Sequence, residues 1–387
     1  MSDLQLLFLV LALLYGWECA CWVGRGSVAI RSWLGRRWRI THPGTLLGNQ
    51  RGGFVFAHPL PPLGTLLTAA PFPLALSPEA ALADAASSVN PGDRPAQRGR
   101  CIRWDEIDSV EAGGKKILVN GELLLKAGSP ILAAQIAQRL REMRQVKAAG
   151  REALILRALR ECFDLSRLER RWQEFQEQTC TVRRVTNALF AYLFVLSPAV
   201  IWRLGFRPSW LALLAGMLAL TSTIAILFHR AHKKLYPAAE DERFTHFLII
   251  LLSPATAIRA CDVLSRPLLE ACHPLTIARH FCSTPQFREL AREFLRGSRY
   301  PAVKQCPRPE PLAEETERYW RLALHETLED FLKGNGLDPG QLLQAPAPAD
   351  KTCLAYCPRC LAQFTTREGT CEDCGGLALL PLPGAAS

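Results

Sequence analysis

The sequence predicts a multi-pass α-helical membrane protein with a small cytosolic β-rich (α+β) domain and a compact, cysteine-bearing C-terminal module. Three observations point there. The 387 residues are 49% hydrophobic and only 21% charged, with a mean hydropathy of +0.06, and the apolar residues fall in blocks. Short, turn-punctuated apolar runs concentrate between about residues 40 and 130. Four of the fourteen cysteines stand in two C-x-x-C pairs near the end. So much apolar material excludes a disordered chain, and soluble domains carry about a quarter charged residues.

The first element is an anchor over residues 1–23. Leu4 to Val23 is apolar except for Gln5 and Glu18, and its length matches a bilayer core of about 30 Å. A signal peptide fits less well, because no basic stretch precedes the run and no small-x-small cleavage site follows it. Arg25, Arg31, Arg36, Arg37 and Arg39 flank its C-terminal end, with Trp17 and Trp22 beside them. Positive charge stays in the cytoplasm, so the N-terminus is expected outside and the following chain inside. Glu18 is a carboxylate within an apolar run, which makes it a candidate polar membrane site.

Residues 36–146 change character. β-prone pieces occur at Phe54-Val55-Phe56, Cys101-Ile102-Arg103-Trp104, Ile117-Leu118-Val119 and Leu123-Leu124-Leu125. Asn120-Gly121 between two of them is a hairpin signal, since both residues tolerate positive φ. Ser129-Pro130 then caps a helix presenting Ile131, Leu132, Ile136 and Leu140. Strands closed by one C-terminal helix, carried by RWDEIDSVEAGGKKILVNGELLL, resemble bacterial pleckstrin-homology-like domains. That resemblance implies binding to lipid headgroups or proteins, not catalysis.

Residues 147–184 read as an amphipathic helical stalk, helical from Arg151 to Gln178, with Leu165, Leu168, Trp172 and Phe175 on one stripe. A transmembrane hairpin follows at 185–228, one span from Val185 to Trp202 and the next from Trp210 to Phe228. Arg183 and Arg184 precede it; His229, Arg230, His232, Lys233 and Lys234 follow; Trp202 and Trp210 shoulder the turn. The apolar stretch within 244–264 runs only from Phe247 to Ile258 and is broken at Ser253-Pro254, so it reads as re-entrant or interfacial. A fourth span is the other reading, since Leu252-Ser253-Pro254-Ala255 repeats Leu196-Ser197-Pro198-Ala199. The downstream arginines favour three spans in all. His246 and Arg259 flank this stretch and join Glu18 as candidate polar membrane residues. Residues 265–344 read as a helical cytosolic segment, clearest from Glu314 to Leu332, and 345–351 as a Pro/Ala linker.

The most specific chemical signal lies in 352–380. Cys357-x-x-Cys360 and Cys371-x-x-Cys374, with ten residues between the pairs, have the spacing of a tetrahedral four-cysteine metal site. The pattern resembles a zinc ribbon, which implies one structural Zn²⁺ held by these four thiolates. Four cysteines also suit rubredoxin-like iron, but the ribbon is the commoner use. A closed sphere leaves no position for reactive water, so the metal would hold the fold. Arg359 and Arg367 stand against Glu368, Glu372 and Asp373, so phosphate attraction is poor and nucleic acid is disfavoured.

Lys and Arg number 46 against 36 Asp and Glu, a formal +10. The excess lies between residues 24 and 187, with 25 basic and 15 acidic side chains, as expected for cytosolic flanks facing anionic headgroups. His229-x-x-His232 with Glu240, Asp241, Glu242 and His246 reads as polar residues at a helix end more than as a second metal site. No glycine-rich phosphate loop, G-x-S-x-G elbow or dinucleotide fingerprint occurs. The functional expectation is a non-enzymatic binding or scaffolding protein of a bacterial-type inner membrane. Its partners would be anionic lipid and protein, with homo-oligomers as a further possibility. The alternative is a membrane enzyme or transport component using Glu18, His246 and Arg259.

Overall fold

A computed structural model describes residues 2, 4–11, 13, 27–28, 30–31, 38–39, 68–69, 74–83, 100–127, 129–237, 239–281, 284–300 and 310–383. Residues 4–11 are helical; Glu18 and the greater part of the 1–23 anchor lie outside the described residues, as does the strand expected at Phe54–Phe56. Two short antiparallel pairs precede the β domain: β1 (Ser27–Val28) with β4 (Thr68–Ala69), and β2 (Ile30–Arg31) with β3 (Trp38–Arg39).

The β domain is two antiparallel three-stranded meanders closed by helices. β5 (Leu74–Leu76), β6 (Ala80–Ala83) and β7 (Cys101–Arg103) form one sheet. β8 (Val110–Gly113), β9 (Lys116–Val119) and β10 (Glu122–Lys126) form the other. The β9–β10 turn is the expected one, with φ of +53° at Asn120 and +78° at Gly121. Asn120 Oδ1 accepts the amides of Asp108 and Ser109 at 2.7 and 3.0 Å, and its Nδ2 donates to the Glu106 carbonyl. A register shift between Leu123 and Leu125 turns both Leu124 and Leu125 inward, which strict alternation forbids.

β6 was not legible as a strand because its sequence is AALA. Its three alanines are buried and Leu82 is half-buried, a pattern of small residues that fits where sheet and helix approach closely. α1 (Pro130–Gln145) starts as expected, with Ser129 Oγ accepting the Leu132 amide at 3.2 Å and proline in its first turn. Its buried face is Ala133, Ala137, Leu140 and Met143, rotated from the expected stripe so that Leu132 and Ile136 flank the contact. Small residues let the helix lie closer to the sheet than leucines would.

The stalk is two helices, α2 (Ala148–Cys162) and α3 (Leu165–Ala191). The break follows from Asp164, whose Oδ1 accepts the Arg167 amide and starts a new helix. A π-helical turn (Tyr192–Leu196) joins α3 to α4 (Ser197–Leu204). Pro198 has no amide hydrogen and crowds the preceding turn, and the Ser197 amide reaches back to the Tyr192 carbonyl. Gly205, at φ +77°, makes the one-residue turn into α5 (Phe206–Leu235). Tyr192 OH donates to the Leu213 carbonyl at 2.7 Å, and a Cβ at Gly216 would collide with that hydroxyl. A side chain there would displace the Tyr192 ring and its hydrogen bond.

Among the described residues, two helical stretches, Leu165–Leu204 and Ser209–Leu235, are long and apolar enough to cross a membrane. They share one apolar core with α6 (Glu240–Leu252), α7 (Pro254–Ile258), α8 (Ala260–Glu270), α9 (Pro274–Phe281), α10 (Thr284–Arg299), α11 (Pro311–Gly334) and α12 (Pro339–Leu342). α11 also closes the β domain. Its Trp320 and Ala323 belong to that core, and Ser77 Oγ lies 3.1 Å from Thr316 Oγ1 in a buried contact.

Two residues of the Pro/Ala linker at 345–351 are tied to the module that follows. Gln363 accepts the Ala349 amide at 2.7 Å and donates to the Ala347 carbonyl at 2.8 Å. A proline-interrupted backbone cannot pair with itself, and one side-chain amide supplies both partners.

Candidate metal centre

The C-terminal module is built from very short strands. β11 (Ala355–Tyr356) pairs with β12 (Gln363–Phe364) and β15 (Leu380–Pro381), and β13 (Thr370–Cys371) pairs with β14 (Leu377–Ala378). Each hairpin carries one cysteine pair on a tight knuckle. In the first, the Leu361 amide donates to the Cys357 carbonyl and the Cys357 amide to Ala362, both at 2.9 Å, with Leu361 at φ +63°. In the second, Gly375 and Gly376 take φ of +74° and +87°, and the Gly376 amide donates to the Cys371 carbonyl at 2.9 Å. The glycines of Cys-Gly-Gly are therefore required by backbone geometry.

The knuckles bring the sulfurs of Cys357, Cys360, Cys371 and Cys374 within 4.8 Å of one another. Cys360 and Cys371 are 3.7 Å apart. A tetrahedron with metal–sulfur bonds of about 2.3 Å has edges of about 3.8 Å, so the spacing suits such a site. Cys357, Cys371 and Cys374 are buried, while Cys360 is exposed at the rim.

The electrostatics favour a cation. Burial works to raise the Cys357 thiol, yet the amides of Cys360 and Arg359 and the neighbouring thiols outweigh it and hold the group below the usual cysteine range. Burial pushes Cys371 and Cys374 up, and the Cys357 and Cys360 sulfurs add to the rise at Cys374. Cys357 is favoured as thiolate while Cys371 and Cys374 are disfavoured, and a positive ion between the sulfurs would offset that penalty. The donor set fits a divalent metal. Arg359 Nη1, buried and without a hydrogen-bond partner, adds a positive charge on the knuckle.

The cysteine tetrad is the one set of three or more His, Cys, Asp or Glu groups able to hold a metal among the described residues. The histidines after the hairpin do not form a second one. His232 and His246 have ring centroids 6.5 Å apart, and His246 also packs edge-on to Phe228 at 6.1 Å. Arg259 is 1% exposed at the junction of α7 and α8. His246 thus sits on α6 and Arg259 in the break between α7 and α8.

One side-chain array escaped the sequence reading. Ser298 Oγ lies 2.8 Å from His325 Nδ1, and His325 Nε2 lies 3.2 Å from Glu329 Oε1. Only the α10–α11 packing creates this contact, and Ser298 also donates to the Leu295 carbonyl at 3.0 Å. The array lies between two packed helices, apart from two clefts among the described residues. The roomier, about 220 Å³, lies at the neck of the hairpin between Arg171, Glu174 and Lys234. The array therefore reads as a polar staple between helices.

Compared with protein-family models, curated proteins and solved structures, the chain matches none. The likeness of the β domain to pleckstrin-homology-like folds accordingly gains no support beyond the pattern of its sequence.

Proposed function

We propose that this chain is a membrane-anchored, non-enzymatic binding or scaffolding protein whose hairpin holds a β domain and a zinc ribbon at the cytosolic face. The observation that carries this reading is the distal half of the hairpin. Val195, Leu196, Trp202, Leu204 and Leu211 are all at least half exposed there, Trp202 at 82%. Water does not tolerate such a contiguous apolar surface, whereas acyl chains and an interfacial tryptophan belt do.

In this reading the hairpin crosses twice, residues 1–23 add a third span with the N-terminus outside, and the membrane is a bacterial-type inner membrane. Arg183, Arg184, His229, Arg230, Lys233 and Lys234 sit where anionic headgroups would meet them. Zinc is the metal, because four thiolates in a small β module are its commonest structural site. A closed sulfur sphere offers no ligand position for substrate, so the ribbon serves architecture and protein docking. Its short supply of basic residues speaks against nucleic acid.

The test is purification of the membrane fraction in mild detergent, wild type beside Cys357→Ser/Cys374→Ser, with metal analysis and mass spectrometry. The expected result is zinc and a reproducible protein partner in the wild type, both lost in the double variant. Recovery of the wild type from the soluble fraction, or an identical partner set from both forms, would overturn the reading.

A further inference from the structure

Apolar length and charge favour a re-entrant or interfacial reading of the stretch after the hairpin, and the packing of the helices adds an independent constraint. Residue 77 of the β domain touches residue 316 of α11 in a buried contact, and Trp320 and Ala323 lie inside the β-domain core. Chain that precedes the hairpin and chain that follows it therefore occupy one compartment. Between them the number of crossings must be even. The hairpin supplies two, so residues 240–258 cannot supply a third.

Those residues nevertheless expose an apolar face. Phe244, Leu248, Ile249 and Leu252 of α6 are 61%, 39%, 43% and 80% exposed. A turn of about four residues joins α5 to α6, which makes the two antiparallel neighbours. His229 and Phe247 rings, 6.0 Å apart, fix their level. Leu252 is five residues further along α6, about 7.5 Å deeper at 1.5 Å per residue, level with about residue 224 of α5. Phe228 is the inner end of the apolar run, so the tip of α6 lies inside the apolar layer.

The backbone at that tip is prepared for lipid. Pro254 has no amide hydrogen, the Ser253 amide donates to Ile249, and Ser253 Oγ accepts both the Thr256 amide and its hydroxyl. The Ala257 amide donates to the Ser253 carbonyl at 2.9 Å. A reversal in hydrocarbon requires such internal pairing. The returning strand of chain faces protein: Ala257, Ile258, Ala260 and Leu264 are buried.

Resting on the reading of the hairpin as membrane-spanning, we propose that residues 240–258 form a re-entrant wedge. α6 lies among the acyl chains of the leaflet on the β-domain side, and α7 returns along the bundle to that same side. The ribbon and the β domain then share one face of the membrane.

The experiment uses the full chain in phosphatidylcholine/phosphatidylglycerol vesicles, with p-benzoylphenylalanine replacing Leu211, Leu252 or Leu322 singly. All three are exposed side chains, so the replacements need no repacking; a circular dichroism spectrum matching the parent admits each variant. Epitopes placed at the Gly113-Gly114 turn and after Ser387 report sidedness by protease protection. The expected result is lipid adducts at 211 and 252 and none at 322, with both epitopes on one side. Adducts at 211 but not at 252 overturn the wedge and leave the hairpin standing. Epitopes on opposite sides mean that residues 240–258 cross, which also overturns it. No adduct at 211 removes the hairpin reading itself.

Discussion

The β domain and the C-terminal ribbon are both small antiparallel structures with tight hairpins, yet different forces hold them. In the β domain Ile117, Val119, Leu125 and Leu140 are at most 1% exposed, and Trp104, 2% exposed, donates its indole N–H to the Ser77 carbonyl at 2.9 Å. In the ribbon, the innermost cluster is Cys357, Cys371 and Cys374. Its strands are two residues long, and no apolar core of comparable size surrounds them. The first folds on apolar burial. The second buries little apolar surface, and its four clustered thiols could make up the difference by sharing a metal ion. Similar outlines therefore predict opposite responses to the same perturbation.

Metal removal should separate them most. A chelator, or Cys357→Ser/Cys374→Ser, is expected to unfold residues 353–383, because binding energy on the order of 10 kcal/mol doubles as folding energy in such modules. Hydrogen exchange read by peptide should rise to unfolded rates there, while β9 and β10 keep their protection. Equal loss in both regions would break the comparison. The reverse experiment is Leu125→Ala, expected to cost the β domain about 2–5 kcal/mol by leaving a cavity. Denaturant unfolding measures it, and the metal content should not change.

A third probe uses pH and the helical body. His273 is buried, stacks on Phe163 at a centroid distance of 4.3 Å, and accepts the Leu275 amide through Nδ1. Burial lowers its pKa to about 3. Above about pH 6.5 the ring is neutral whether folded or unfolded. Below that the unfolded chain takes up a proton that the folded one refuses, so helical stability should fall from about pH 6.5 toward 3. Melting curves across that range should show the decline in wild type, and His273→Gln should flatten it. The smallest effect concerns Asn120→Ala, which removes three hydrogen bonds and places a Cβ-bearing residue without a side-chain partner at φ +53°. It should cost about 1–2 kcal/mol, while Asn120→Gly should recover the backbone part; thermal denaturation distinguishes the two.

Much of this was legible in the residues. Asn120-Gly121 and Ser129-Pro130 act through their own backbone preferences, so the turn and the helix start needed no tertiary information. The same holds for the cysteine knuckles, where spacing alone brings two sulfurs to one side and Gly375-Gly376 permits the turn. Other elements were hidden because their reasons are distant. β6 is a run of alanines and leucine that becomes a strand only between β5 and β7, and α1 turns alanines inward because a sheet lies close above it. The stalk hides a break at Asp164, whose capping bond competes with a continuous apolar stripe.

By itself, then, the sequence determined the four-cysteine site, the apolar lengths of the hairpin and the local turns, because each depends on residues close together along the chain. The tertiary structure alone decided that α11 closes the β domain, that Gln363 pins residues 347–349, and that the chain on either side of the hairpin shares one core. Those are contacts between residues up to 239 positions apart. Their partners are chosen by packing complementarity, which no local pattern encodes.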